Sequence, residues 1–364
     1  MHIGIDGNEA NVENLVGVSV YTQNLLTHFQ KKAGASTQFT VFLRSKPKSH
    51  LPPINKFFNY QVVSPSFLFS QITLPLALMK RDDIDVFFSP AHYAPRISPA
   101  PTVVTVHDLS YFYYPQEFLK KDLYQLMRWT GYSVKKASKV ICVSQETKKD
   151  LIKYYKTPEE KIEVIYNGYE KRADKSIGLS KKFKLKKVKY LLYVGTLQPR
   201  KNIQTLIRAF EQFQKENLDF KLAIVGKKGW LYDEIFNLVK RLGLQDKVVF
   251  TGFVSDQELH GLYKNAFCFI LPSFYEGFGI PMLEAMDRGL PVIAAGSSAL
   301  PEVGGDACLY FDPYTVGTLV RLLNRLKKDG ALRKSMIEKG KKRIKLFSWK
   351  KSAAETLKVI KSAV

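Results

Sequence analysis

Pro272-Ser273-Phe274-Tyr275-Glu276-Gly277-Phe278-Gly279-Ile280-Pro281-Met282-Leu283-Glu284 is the stretch whose reading decides the fold. The apolar run Cys268-Phe269-Ile270-Leu271 before it has the length and composition of a buried strand. Pro281 to Arg288 reads as a helix with proline in its first turn. Between strand and helix, Gly277 and Gly279 allow a sharp turn and leave bare N–H groups at a helix start, an arrangement suited to phosphate oxygens. Glu276 falls in the loop and Glu284 about one turn inside the helix, so the two carboxylates can serve opposite ends of one ligand, a sugar and a ribose. The bland alternative is a tight turn carrying two solvated acids.

Working outward, short β-rich runs alternate with helical patterns, which predicts α/β architecture with parallel sheets. Strands are expected at 2–6, 39–44, 86–89, 102–107 and 139–143, with helices at 18–30, 116–137 and 145–155 between them. Residues 169–188 are charged and poor in large apolar side chains, which predicts a linker between a first domain at 1–168 and a second at 189–346. The second contains strand patterns at 190–195, 221–225, 248–251, 266–271, 292–295 and 307–311. Two doubly wound, Rossmann-like halves would face a central cleft, with ligands at the carboxyl ends of the strands.

Composition narrows the function classes. The chain has 364 residues, 45% hydrophobic and 13% aromatic, enough for two cores. No apolar run is long enough to span a bilayer, and the N-terminus lacks a signal-peptide layout. Cys142, Cys268 and Cys308 are scattered, as core thiols of a reducing cytoplasm would be. The net charge of +23 is the outlier. Residues 1–172 carry 22 Lys/Arg against 15 Asp/Glu, and the remainder 34 against 18. An anionic membrane surface or a polyanion would suit this charge, as would plain solvated helix faces. No zinc-finger, RNA-binding or basic-zipper pattern accompanies it, so nucleic acid is disfavoured as a partner.

Gly195-Thr196-Leu197-Gln198-Pro199-Arg200-Lys201-Asn202 follows the first strand of the second half. It sets two cations at a helix start, against the macrodipole, unless an anion lies between them. A diphosphate resolves that conflict, since Arg gives bidentate contacts and Lys a point charge.

These residues carry a resemblance. The Gly-x-Leu-x-Pro-Arg-Lys-Asn turn, then Phe250–Val254, the Glu276…Glu284 element and Gly289–Ala294 resemble glycosyltransferase family 4. Phe347-Ser348-Trp349, opening a last helix, extends the likeness over nearly the whole chain. The resemblance implies the GT-B fold, with residues 347–364 returning to the first domain, and retaining transfer of a sugar from a nucleotide-sugar without metal or other cofactor. It implies Arg200 and Lys201 on the donor diphosphate, Glu284 on the ribose hydroxyls and Glu276 near the donor sugar. Gly195, Gly277, Phe278, Gly279 and Ile280 would line the donor, the last two with backbone donors, and the base would lie by Val254. Many members place Arg where Thr196 stands; the variant here resembles that of members described as mannosyltransferases, which favours GDP-mannose over UDP-glucose or a UDP-N-acetylhexosamine.

The first half would then bind the acceptor, a growing glycan or lipid-linked saccharide. Gly17 matches the second of two glycines that approach the donor phosphate in the family, and Val16 replaces the first. His107, at a strand end, matches a histidine near the reacting sugar carbon; Asp108 would orient it or cap the next turn, and His92 is a lesser candidate for acceptor contact. The segment from Phe67 to Arg81, apolar and then basic, fits either shallow membrane contact or a core helix with a basic end. The expected location is the cytoplasm, peripherally at the inner membrane face. Asp83-Ile84-Asp85 resembles a metal-binding Asp-x-Asp but precedes a buried strand, and no metal is expected. A nucleotide-sugar epimerase of the same fold and a non-catalytic polyanion binder are the rival readings. A dehydrogenase is disfavoured because no Gly-x-Gly-x-x-Gly turn follows either opening strand.

Overall fold

The computed structural model describes residues 1–65, 67–170, 183–185 and 187–364. Its backbone divides into two compact units, Met1–Gly168 with Phe347–Val364, and Tyr169–Leu346. Of the stretch read as a linker, residues 171–182 and 186 lie outside the described residues, and Phe183 and Leu185 near its end are buried.

The first unit holds strands β1 (His2–Asp6), β2 (Gln38–Leu43), β3 (Phe58–Val62), β4 (Val86–Ser89), β5 (Thr102–Val106), β6 (Lys139–Cys142) and β7 (Ile162–Val164). All pair in parallel, in the order β3-β2-β1-β4-β5-β6-β7. Its helices are α1 (Val18–Gln30), α2 (Thr73–Leu78), α3 (Ser110–Tyr113), α4 (Lys120–Lys136) and α5 (Gln145–Tyr155). A parallel sheet covered on both faces needs strands apolar on both sides, and every residue of Thr102–Val106 is buried. The helices start where local chemistry allows: the Ser144 hydroxyl accepts from the Thr147 N–H at 3.1 Å, capping α5. β3 was not expected, because its residues alternate with polar ones and only Phe58 is buried. An edge strand pairs on one side and can read this way.

The second unit contains β8 (Lys189–Val194), β9 (Phe220–Val225), β10 (Val248–Gly252), β11 (Cys268–Leu271), β12 (Val292–Ala295) and β13 (Cys308–Phe311), in the order β10-β9-β8-β11-β12-β13. Around them lie α6 (Ile203–Lys215), α7 (Asp233–Arg241), α8 (Asp256–Asn265), α9 (Ile280–Asp287), α10 (Leu300–Gly304), α11 (Val316–Lys328) and α12 (Gly330–Arg343). Helix α6 buries Ile203, Leu206, Ile207, Phe210 and Phe213, a helical stripe against the sheet. A reciprocal Ser255–Glu258 capping box opens α8. In both sheets the winding reverses beside the first strand, between β1 and β4 and between β8 and β11, the strand order of a Rossmann fold. The GT-B expectation of two parallel-sheet, Rossmann-like domains is therefore met.

The last helix, α13 (Trp349–Lys361), belongs to the first unit. It buries Trp349, Ala353, Leu357 and Ile360 in one core with Ile5, Tyr21, Phe29 and Val86. Gly168 permits this approach: a Cβ there would stand 2.1 Å from the Trp349 nitrogen.

Candidate functional site

Except for Val254, which follows β10 at the sheet edge, the expected donor residues of the second unit lie after β8 and β11, neighbours at the point where the winding reverses. Chain direction does this, since a parallel sheet puts the loop after every strand on the same edge. Gly195 leaves β8, and Pro199–Lys201 form a single 3-10 turn before α6. Asn202 joins turn to helix in the left-handed region, φ 53°, which Asn tolerates better than most side chains. Its amide donates to the carbonyls of Pro272 and Pro313 at 3.1 and 2.9 Å, tying the turn to the loop after β11.

That loop carries Glu276 to the cations. Lys201 Nζ donates to Glu276 Oε1 at 2.6 Å, and Arg200 Nη1 stands 4.0 Å from Oε2. The Ser273 hydroxyl donates to Oε1 at 2.7 Å, and the Glu276 N–H donates to Ser298 Oγ at 2.8 Å. Arg200 Nη1 also donates to the Tyr275 carbonyl at 2.5 Å. The three charged side chains are only 11–15% exposed. Burial pushes the Glu276 carboxyl up, but Lys201, Arg200 and the two side-chain hydrogen bonds outweigh it and hold the group below its ordinary value. Glu276 thus sets one negative charge, from within the unit, against the two cations. The sequence reading had assigned that carboxylate to a sugar alone.

Gly279 caps α9 at φ 99°, a conformation open to glycine, so the first N–H groups of α9 emerge where the chain turns. The turn is crowded, because a Cβ on Gly279 would meet Leu300 at 2.8 Å. Gly277 is buried, as are the Phe278 and Val254 side chains, which leaves those two only main-chain atoms to offer. Ile280 starts the helix and Glu284 follows one turn on. Glu284 accepts from the Tyr263 hydroxyl of α8 at 3.0 Å. Sequence reasoning missed Tyr263, Ser273 and Ser298; Ser273, three residues before Glu276, was the one with a local signal.

In the first unit, Gly17 precedes α1 at φ 52° and ψ −112°, outside the regions open to L side chains, in open space. His107 directly follows β5, 9% exposed. Its Nε2 lies 2.7 Å from the Pro90 carbonyl, which can only accept, so Nε2 carries a proton. Burial, with His92 beside it at 5.8 Å between ring centroids, lowers the imidazole to about 4. His107 is therefore neutral at pH 7. The Tyr21 ring meets it edge-on at 4.8 Å. Asp108 caps the following turn, accepting from the Ser110 N–H and hydroxyl at 3.0 and 2.7 Å. Asp83 takes a bidentate pair from Arg81 at 2.6 and 2.7 Å, and Asp85 accepts from the His2 N–H at 2.6 Å. Both aspartates thus serve the start of the chain's first strand.

Two family models divide the chain: residues 16–172 match Glycosyltransferase Family 4, and residues 177–343 match Glycosyl transferases group 1. The O-antigen chain mannosyltransferase B of Escherichia coli is 31% identical over 283 residues, 76% of this chain and 74% of that protein. The chain belongs to glycosyltransferase family 4. The glycosyltransferase also resembles the O-antigen chain mannosyltransferase RfbU of Salmonella typhimurium, 36% identical over 58% of this chain and 56% of that one. Among solved structures, HepE of Anabaena in complex with UDP and glucose shares the fold, with a TM-score of 0.76, 19% identity and 99% of each chain covered. No helix among the described residues is long and apolar enough to cross a membrane.

Proposed function

We propose that this glycosyltransferase moves a hexose, mannose from GDP-mannose, to a hydroxyl of a glycan or lipid-linked saccharide with retention of anomeric configuration. The observation that carries the reading is the buried Arg200–Lys201–Glu276 cluster beside the N-terminus of α9. It is a preformed place for negative charge, with cations and peptide N–H groups already oriented. The names of the relatives, O-antigen chain mannosyltransferases, support mannose and a saccharide acceptor, and favour transfer over epimerisation or polyanion binding.

In this mechanism the bond from the sugar carbon to the diphosphate oxygen breaks, and its electron pair leaves with the diphosphate. Arg200, Lys201 and the first N–H groups of α9 stabilise that charge without a metal. Glu276 yields part of its hold on Lys201 to the phosphate and turns to the sugar hydroxyls. Glu284, oriented by Tyr263, takes the ribose. The acceptor hydroxyl attacks from the face the diphosphate leaves, and its proton passes to a diphosphate oxygen. Neutral His107 is suited to hydrogen-bonding the sugar rather than to protonating it.

The test is turnover of GDP-mannose, UDP-glucose and UDP-N-acetylglucosamine in EDTA with a mannose-containing saccharide acceptor, the product's anomeric carbon being read by NMR. An α-linked mannoside from GDP-mannose is expected. Loss of all turnover in EDTA, restored by a divalent cation, or an inverted product would overturn the mechanism; preference for a UDP-sugar would overturn the donor.

A further inference from the structure

The first unit contains a cavity of about 550 Å³ that none of the expected site residues lines. Gln71, Arg96, Tyr124, Arg128, Trp129 and Tyr132 form its wall, and its volume lies in the range of small-molecule sites. The spacing of Tyr124, Arg128 and Tyr132 puts all three on one face of α4. Arg96 comes from the loop after β4 and is held in place. Its N–H donates to the Ser70 carbonyl at 2.9 Å, and its carbonyl accepts from the Tyr132 hydroxyl at 2.5 Å. Its guanidinium stacks 3.9 Å from the Tyr132 ring centroid. Arg128 likewise lies over Tyr124, at 5.9 Å. No carboxylate among the described residues comes within 4.0 Å of either guanidinium. Two exposed guanidinium groups, that of Arg96 stacked on Tyr132, thus border a hollow walled by aromatic rings. That combination suits a phosphate ester with a sugar beside it, because guanidinium binds phosphate bidentately and aromatic faces pack on sugar C–H faces.

Beside the cavity, the segment that contributes Gln71 leaves large apolar side chains in water: Phe67 is 69% exposed, Leu76 56% and Met79 63%. Phe69, Leu74 and Leu78 of the same segment are buried. The segment therefore has a buried side, as a core helix would, and an exposed apolar side. Several large apolar side chains exposed on one short segment suit a contact with something apolar.

We propose that this cavity receives the phosphate of a lipid-linked saccharide acceptor, with Arg96 and Arg128 on the phosphate and the Phe67–Met79 segment against the lipid. The proposal rests on the transferase reading above and names its acceptor class. A free sugar phosphate offers the same polar chemistry; the exposed apolar side chains select the lipid-linked form.

The test is flotation of the full chain with phosphatidylcholine vesicles containing polyprenyl phosphate, against phosphatidylcholine alone. Binding is expected only with the phosphate lipid, and R96Q/R128Q is expected to weaken it about tenfold or more, as loss of charge-assisted bonds implies. The charge-matched K31Q/K32Q variant, altered in the exposed turn after α1, should bind as wild type. Thermal shift by GDP-mannose should be the same in R96Q/R128Q and wild type, which checks the fold and separates this site from the donor site. Lack of a GDP-mannose shift in every protein would sink the donor assignment alone. Equal weakening in both double variants, unchanged binding in R96Q/R128Q, or binding of mannose 6-phosphate with none to the vesicles would each overturn the proposal.

Discussion

Replacing Lys201 with methionine tests the cluster most directly, because it removes one charge and keeps most of the side chain's volume. With Nζ 2.6 Å from Oε1 and an effective dielectric of about 20, the gross Coulomb attraction is about 6 kcal/mol before desolvation. Removing one partner of a buried pair costs roughly 3–5 kcal/mol. Arg200 at 4.0 Å and the Ser273 hydroxyl at 2.7 Å remain on Glu276, which places the expected loss at the lower end, about 3 kcal/mol. The pH dependence has a definite sign. In the native protein Glu276 lies below its ordinary 4.5, so its stabilisation is present above that pH and fades as pH falls through the lowered value. Without Lys201 burial gains the upper hand and the carboxyl moves upward, so neutral pH becomes the costly side. Urea denaturation from pH 3 to pH 7 should therefore show a gap between the two proteins that opens as pH rises. Adding Glu276→Gln to the variant should recover most of the stability, since the unpaired buried charge is gone. It should not recover turnover, which is expected to fall by about 10² to 10³ in both. A gap below about 1 kcal/mol, the scale of an exposed pair, or one that does not change with pH would refute the reasoning.

Other consequences are simpler to measure. Because His107 is lowered to about 4 from 6.5, its stabilisation is present above pH 6.5 and lost as pH falls through 4; melting temperature should drop less between those values in His107→Gln than in the native protein. Gly17→Ala should cost about 1–3 kcal/mol from backbone strain alone, whereas Gly34→Ala, equally open but with no positive φ, should stay within about 0.5 kcal/mol in the same denaturation assay. Tyr263→Phe removes the bond that orients Glu284, so calorimetry should show weaker GDP binding by about fivefold with pyrophosphate binding unchanged.

What the sequence disclosed follows from how far each signal reaches along the chain. The run Cys268–Leu271 and the turn at Gly279 announce themselves within a dozen residues, and both strand and helix formed there. Helix α1 was legible over its full length because Leu25, Leu26 and Phe29 recur at helical spacing. The pairing of Lys201 with Glu276 was not legible, since 75 positions separate them and only the adjacency of β8 and β11 brings them together. Strand order is a property of the whole sheet, and no local pattern encodes it. The same limit hid Tyr263, which reaches Glu284 from the neighbouring helix α8. No sequence pattern singles out Arg96 and Arg128, because what sets them apart is a shared hollow and, among the described residues, the lack of a carboxylate within 4.0 Å. Asp108 had two readings, and its bonds to Ser110 show the cap.

Synthesis runs from the amino end, yet the first unit is completed by a piece made after the whole second unit. Until Trp349, Leu357 and Ile360 leave the ribosome, Tyr21, Phe29 and Val86 have an open flank. The earlier part must therefore wait, incomplete, while the whole second sheet is made and folds. A released chain ending at Leu346 should accordingly be cut by protease within the first 168 residues, while the later unit resists.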